Sequence, residues 1–160
     1  MFKFIFSYKT NITLMPLVVS RIVIGIFFVI TGCNKLFNPV FQKSMLKTIT
    51  GIGFPYPSFT ANFTAASEAI FGLLLAIGLF TRFSSAALIV ILLVALVTFD
   101  IPNYIPQGLD PFTWYSYFTY LPQTLYLLII VNILVVGGGP LSLDKMIAAR
   151  IDSKKDRPSA

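Results

Sequence analysis

The strongest constraint on the fold is a set of apolar runs too long for a soluble domain of this size. Residues 83–99 contain no charged side chain and lie between Arg82 and Asp100. Because about 20 apolar residues suffice for a helix to cross the hydrocarbon core, we predict four membrane spans. They are residues 14–36, 61–80, 83–100 and 118–136. With 56% hydrophobic and 11% charged residues, the chain is predicted to be an all-α integral membrane protein that forms a four-helix bundle.

The predicted spans occupy most of the chain and leave little room for a separate soluble domain. Residues 1–152 are therefore predicted to form one transmembrane domain, and residues 153–160 a charged, disordered tail. Residues 1–10 alternate aromatic and polar side chains, which is typical of an amphipathic arm at the membrane surface. Between the first two spans, Phe41, Met45 and Ile49 recur at helical spacing, which predicts a short interfacial helix. Ser142 is predicted to cap a last short helix.

The distribution of basic residues predicts the orientation in the membrane. Most of them lie before the first span, between the second and third spans, or after the fourth: Lys3, Lys9, Arg21, Arg82, Lys145, Arg150, Lys154, Lys155 and Arg157. By the positive-inside rule, both termini are expected in the cytoplasm. The net charge of +6 is spread along the chain without an aromatic-interleaved patch, so nucleic acid is not an expected partner.

Proline and aromatic residues dominate the link between the third and fourth spans, which has no Lys or Arg from residue 100 to 119. An aromatic belt at the outer interface explains this composition. A lid over a lipid-soluble ligand is the alternative interpretation.

Cysteine and histidine usage limits the redox chemistry that this chain can perform alone. Histidine is absent and Cys33 is the one cysteine. A histidine-ligated haem, a copper centre, a Cys-ligated iron–sulfur cluster and an intramolecular disulfide are therefore not expected from this chain. No metal site or nucleophile is evident, so whether the protein is an enzyme stays open, and a redox role needs a partner or a diffusible carrier such as a quinone. Residues 30–33 are similar to a lipoprotein cleavage site, but the basic residues extend to Arg21, which favours a membrane span.

Charged residues within the apolar segments are the candidate functional residues, since charge in a membrane span usually serves a purpose. Helical spacing places Arg21 and Lys35 on one face of the first span together with Gly25, Phe28 and Gly32. Glu68 shares a face of the second span with Ala65, Gly72 and Ala76. Small residues permit close helix approach, so both faces are predicted to point into the bundle.

Helix depth places Glu68 between two cations. At 1.5 Å per residue, Lys35 and Arg21 are each expected about 10 Å from Glu68 along the membrane normal. Whether Glu68 pairs with Lys35, with Arg21 or with neither stays open. Asn34, Asp100 and Gln123 are expected near Lys35, and Asn132 at the depth of Arg21.

This arrangement predicts a polar pocket that suits proton exchange with a quinone head group. The candidate pocket or quinone-binding residues are Lys35, Glu68, Arg21 and Asp100. A structural network of ion pairs explains the same charges equally well.

Three sequence motifs resemble the marks of the DoxX family of small bacterial membrane proteins. They are Arg21-x3-Gly25-x6-Gly32-x2-Lys35-Leu36-x-Asn38-Pro39, then Glu68-x3-Gly72-x5-Gly78-x3-Arg82, and then Gly137-x-Gly139-x-Leu-Ser-Leu-Asp144. The resemblance implies a multi-pass four-helix protein of the bacterial cytoplasmic (inner) membrane. It also implies a link to quinone-coupled redox chemistry, because the family takes its name from a subunit of a terminal quinol oxidase.

Three functions are therefore considered. The first is a subunit or accessory of a quinone-coupled membrane redox system, with the lipid bilayer and redox-complex subunits as partners and with oligomers allowed. The second is a small transporter or channel-like protein that uses Glu68 on a path for a proton or solute. The third is a membrane scaffold whose charges only assemble the helices.

Overall fold

The computed structural model describes residues 14–155, and this part of the chain is entirely helical apart from its links. The helices are α1 (Met15–Phe37), α2 (Pro39–Gly51), α3 (Pro57–Ile77), α4 (Thr81–Tyr104), α5 (Pro111–Tyr120), α6 (Pro122–Val136) and α7 (Leu143–Lys155). The predicted all-α class is confirmed for these residues. The predicted amphipathic arm of residues 1–10 and residues 156–160 of the predicted tail lie outside the described residues, whereas residues 153–155 continue α7.

Helices α1, α3 and α4 are long and apolar enough to cross a membrane. The fourth predicted span, residues 118–136, covers the end of α5 and all of α6, which meet at an angle of 73°. Leu121 between them is extended, with ψ 124°, and Pro122 opens α6. Proline lacks an N–H and disfavours helical geometry at the preceding residue, so the helix direction changes here. The bent pair counts as a fourth span only if α5 and α6 are taken together.

Helix α4 widens into a π-helical turn at Leu96–Asp100 before it ends at Tyr104. Its buried residues Leu88, Leu92, Leu96 and Asp100 recur every fourth position. In a regular α-helix such a series drifts by about 40° per step, because 3.6 residues make one turn. The wider turn reduces this drift and keeps Asp100 on the inward face.

Helices α1 and α3 pack closely through small residues. A Cβ added to Gly25 would lie 2.6 Å from the backbone nitrogen of Ala76, and one added to Gly32 would lie 2.6 Å from that of Ala69. Neither position has room for a larger residue. The prediction that the faces of Gly25 and Ala76 point inward is confirmed.

One apolar cluster joins α1, α3, α4 and α6. Its buried members are Ile24, Phe28, Leu75, Leu88, Leu92, Ile130 and Ile133. Large apolar side chains also cover the outside of these helices, for example Val23, Phe63 and Val90. These helices are apolar both on the face that packs in the core and on the outer face, which is typical of helices surrounded by lipid.

Helix α2 occupies the segment for which a short helix was predicted. Proline opens it at Pro39, and the Asn38 side chain caps it by accepting the Val40 N–H at 3.0 Å. Its residue Ile49 is buried, and the helix packs against α1 and α3. It thereby covers one side of the candidate site.

Candidate functional site

Lys35 and Glu68 form an ion pair between α1 and α3. The Lys35 ammonium donates to both carboxylate oxygens of Glu68, with Nζ–Oε1 and Nζ–Oε2 distances of 2.8 and 2.6 Å. The Lys35 side chain is 29% exposed and that of Glu68 only 7%. The structure therefore decides which cation pairs with Glu68.

The helix register explains why this pair forms. Gly25 lies against Ala76 and Gly32 against Ala65 and Ala69, so Glu68 lies roughly level with Gly32. Lys35 is three residues beyond that level, about 4.5 Å at the rise of an α-helix. Both side chains lean toward the N-terminus of their own helix, and in antiparallel helices these directions converge. The predicted separation of about 10 Å was too large because it was counted from assumed span boundaries.

Asp100 is buried in the π-helical turn of α4, with 2% of the residue exposed. Its Oδ1 accepts a 3.2 Å hydrogen bond from the Gln123 amide of α6. Its Oδ2 has no partner among the described residues. Gln123 thus lies near the other polar groups as predicted, whereas Asn34 is exposed and its side chain makes no hydrogen bond with the described residues.

A cavity of about 500 Å³ connects these polar groups. Its walls are mainly apolar side chains of α2, α3 and α4, and its polar lining includes Lys35, Glu68, Asp100, Gln123 and Tyr104. Its volume and its mainly apolar lining with a few convergent polar groups are those of a small-molecule site. A second, smaller cavity of about 110 Å³ is also lined by the ion pair.

The two cavities share five lining residues: Lys35, Glu68, Ile91, Ala95 and Gln123. Beyond the ion pair, the smaller cavity reaches Phe27, Phe28 and Tyr126. These rings pack together, with centroids of Phe27 and Tyr126 4.6 Å apart. The Lys35–Glu68 pair therefore lines both the larger, mainly apolar cavity and the smaller one beside these rings.

Arg21 lies at the opposite end of α1 and takes no part in this site. Its guanidinium donates to the carbonyl oxygens of Gly138 and Leu141, at 2.9 and 3.0 Å. It is 1% exposed and absent from the lining of either cavity. At the register of α1 and α3 it is about 16 Å from the level of Glu68, so the expected placement of Arg21 in one network with Glu68 is not observed. The sequence indicated that Arg21 points inward, which is confirmed.

Glycines after α6 give Arg21 its partners. Gly137 and Gly139 have positive φ angles of 87° and 74°, which L side chains rarely adopt. The resulting turn brings the Gly138 and Leu141 carbonyls onto the guanidinium. Asn132, predicted at the depth of Arg21, instead donates to the Leu128 carbonyl of its own helix.

Asp144 lies at the same end of the protein as Arg21, where it joins the start of α7 to the start of α4. Its carboxylate accepts the Phe80 and Thr81 N–H groups at 2.7 and 2.9 Å, and its own N–H donates to Gly78. The first N–H groups of a helix lack intrahelical acceptors, so Asp144 caps α4 from a distant part of the chain. Asp144 lies in the first turn of α7, and its contact with α4 was not predicted from the sequence. Ser142 caps α7 as predicted, since its Oγ accepts the Lys145 N–H at 3.2 Å.

The pKa of Asp144 is held below its ordinary value. Partial burial is the largest single influence and raises the pKa, but the combined hydrogen bonds from Thr81 and Phe80, with the nearby Arg21 charge, outweigh it. The ionised carboxylate is therefore the form that holds α7 to α4.

Among residues 14–155, no group of three or more Cys, Asp or Glu side chains is placed to hold a metal ion. Cys33 is a half-buried free thiol. The polar groups that line the large cavity include one ammonium, two carboxylates and their amide and hydroxyl neighbours.

These features define a helical membrane protein with a partly open, mainly apolar cavity between its helices that also has charged side chains in its lining. The DoxX family model matches residues 17–101, which is more than half of the chain, and the protein belongs to the DoxX family. The matched range contains Arg21, Lys35, Glu68 and Asp100, whereas the third motif, residues 137–144, lies beyond it. No curated protein and no solved structure shows a significant match.

Proposed function

We propose that this DoxX-family protein is a four-helix protein of the bacterial cytoplasmic membrane that binds a quinone as an accessory of a quinone-coupled redox system. The observation that carries the proposal is the cavity of about 500 Å³ shared by Lys35, Glu68 and Asp100. A mainly apolar lining that also contains charged groups matches an isoprenoid-type molecule with a polar head.

The polar atoms of the cavity fit both redox forms of a quinone head group. A quinone carbonyl accepts hydrogen bonds. The Lys35 ammonium has three N–H donors, and its bonds to Glu68 use only some of them. A quinol hydroxyl donates a hydrogen bond, and Asp100 Oδ2 is an acceptor that has no partner among residues 14–155. The orphaned oxygen supports a ligand with a donor at this position, because buried polar atoms are normally hydrogen-bonded.

Each residue then has a distinct task. Lys35 binds and orients the head group, Glu68 holds Lys35 in place, and Asp100 accepts or returns a proton at Oδ2. A bound quinone supplies the two-electron, two-proton chemistry. The electron carrier is assigned to a partner subunit, since this sequence has no histidine and one cysteine.

Ligand-dependent thermal stability tests this proposal on the purified, detergent-solubilised protein. A ligand that binds the folded state raises the melting temperature as its concentration increases. We expect menadione and decylubiquinone to raise the melting temperature of the wild type, and the shift to fall in Lys35→Met. Lys43→Met is the matched control, because Lys43 lies on α2 outside the cavity lining. If neither menadione nor decylubiquinone raises the melting temperature, quinone binding in this cavity is refuted.

A transport function is the second candidate, and one observation favours it. The Lys35–Glu68 pair lines both cavities, as expected for a charged gate on a path that connects them. Proton or solute flux into proteoliposomes that is lost in Glu68→Gln, with unchanged folding, would support transport. If Glu68→Gln changes stability and neither flux nor quinone binding, the charges serve assembly alone.

A further inference from the structure

The charges that line the large cavity do not balance. Lys35 and Glu68 neutralise each other at 2.6 Å. Asp100 makes no ion pair within the described residues, and its hydrogen bond comes from the neutral amide of Gln123. With all three groups ionised, the cavity therefore carries one excess negative charge.

A buried carboxylate in this state needs a compensating group. Taking an ion out of water into apolar surroundings is unfavourable unless the ion is paired or takes up a proton. Asp100 is 2% exposed, and its Oδ2 is unpartnered while the residue lines the cavity. A donor that reaches Oδ2 from the cavity would supply the missing hydrogen bond, and a positively charged donor would also compensate the excess charge.

Aromatic rings beside Asp100 narrow the kind of cation. Phe99 and Tyr104 flank the carboxylate in sequence, pack edge to face at 6.0 Å and line the cavity with Phe41, Phe54 and Phe63. Ring faces attract organic ammonium groups, and the carboxylate adds a direct hydrogen bond. A divalent metal ion is a poorer match, because Ca²⁺ and Mg²⁺ need about six oxygen ligands and the Glu68 carboxylate is occupied by Lys35.

We propose that the cavity binds a lipophilic organic cation, a protonated amine on an apolar body, whose N–H donates to Oδ2 of Asp100. This inference goes beyond quinone binding and does not require it. The two ligand classes compete for one cavity, and each is tested by its own probe.

Paired probes separate the charge from the apolar body. Binding of 4-phenylbutylamine and of its neutral analogue 4-phenylbutan-1-ol is measured by calorimetry on the intact protein in detergent. A charge-assisted hydrogen bond predicts that the wild type binds the amine at least about tenfold more tightly than the alcohol. In Asp100→Asn we expect this ratio to fall close to one. Asp110→Asn is the control, since Asp110 is exposed and lies outside the cavity lining, and it should keep the wild-type ratio.

Several outcomes contradict the inference. Equal affinity for amine and alcohol in the wild type refutes it, and so does a selectivity that survives Asp100→Asn. If Asp100→Asn does not fold, Thr64→Phe decides, because it puts a larger side chain into the cavity and leaves the Asp100 carboxylate in place. Amine affinity should then fall, and an unchanged amine affinity would locate the amine elsewhere. Menadione measured in parallel separates the two proposals, since quinone binding without amine binding refutes only this inference.

Discussion

We expect the Lys35–Glu68 pair to show a coupling energy in stability measurements. Glu68 is nearly enclosed, so Lys35→Met leaves a buried carboxylate without its cation, and Glu68→Gln leaves the ammonium without its anion. Each single variant should lose about 1–3 kcal/mol of stability, less than for a fully buried pair because Lys35 is partly exposed. The double variant Lys35→Met/Glu68→Gln should lose less than the sum of the two. Reversible denaturation in mixed detergent micelles measures the cycle, and strictly additive losses would show that the pair is uncoupled.

Asp144 makes the stability of the protein depend on pH in one direction. Its pKa is lower in the folded than in the unfolded state, so its contribution is complete above the unfolded value of about 3.9 and is lost as the pH falls through the folded value. We expect Asp144→Asn to lower the melting temperature at pH 7 and to lessen its decline between about pH 5 and pH 2. Melting curves across this range test the sign.

Asp110→Asn is the comparison for that experiment. Asp110 caps its own helix α5 through the Phe112 and Thr113 N–H groups and is exposed, and asparagine also caps helices well. Its effect at pH 7 should be smaller than that of Asp144→Asn. Equal changes in melting temperature would show that the Asp144 contact between α7 and α4 stabilises the protein no more than the local cap by Asp110 does.

Helix docking depends on glycine at the contact between α1 and α3. A Cβ at Gly25 meets the Ala76 backbone, which cannot move aside without separating the helices. Gly25→Ala should therefore destabilise the fold by about 1–3 kcal/mol, the usual effect of overpacking. Gly51→Ala is the matched control at the end of α2, where an added Cβ meets nothing within 4 Å. Equal melting temperatures of the two variants would contradict tight packing at Gly25.

At the scale of single helices, several local features could be predicted from the sequence. Span positions, the α2 helix and the Ser142 cap follow from apolar length, periodicity and capping residues, all of which act within one segment. The 73° bend at Pro122 was available from the sequence as a proline within an apolar run, yet the run was taken as one continuous span. The π-helical turn at Leu96–Asp100 had a weaker signal, the spacing of four between inward residues.

The orientation of the whole protein is predicted from its basic residues and can be checked in intact cells. Single-cysteine variants Asp110→Cys and Met146→Cys are made in a Cys33→Ala background, and both positions are exposed. Because the positive-inside rule places α7 in the cytoplasm, a membrane-impermeant maleimide should label the first variant and not the second. Labelling of Met146→Cys in unbroken cells would contradict the predicted orientation.

Composition and spacing were enough to identify a helical membrane protein and the inward faces of Arg21 and Glu68, because apolar length and helical period are properties of single segments. They could not select a partner for Glu68. That choice depends on the register of α1 against α3, which the contacts of Gly25 and Gly32 set. The same holds for Asp144 on the α4 N-terminus and for Asp100, which lines the cavity and whose Oδ2 has no partner among residues 14–155. These arrangements join residues from distant segments, and only helix packing brings such groups within hydrogen-bonding distance.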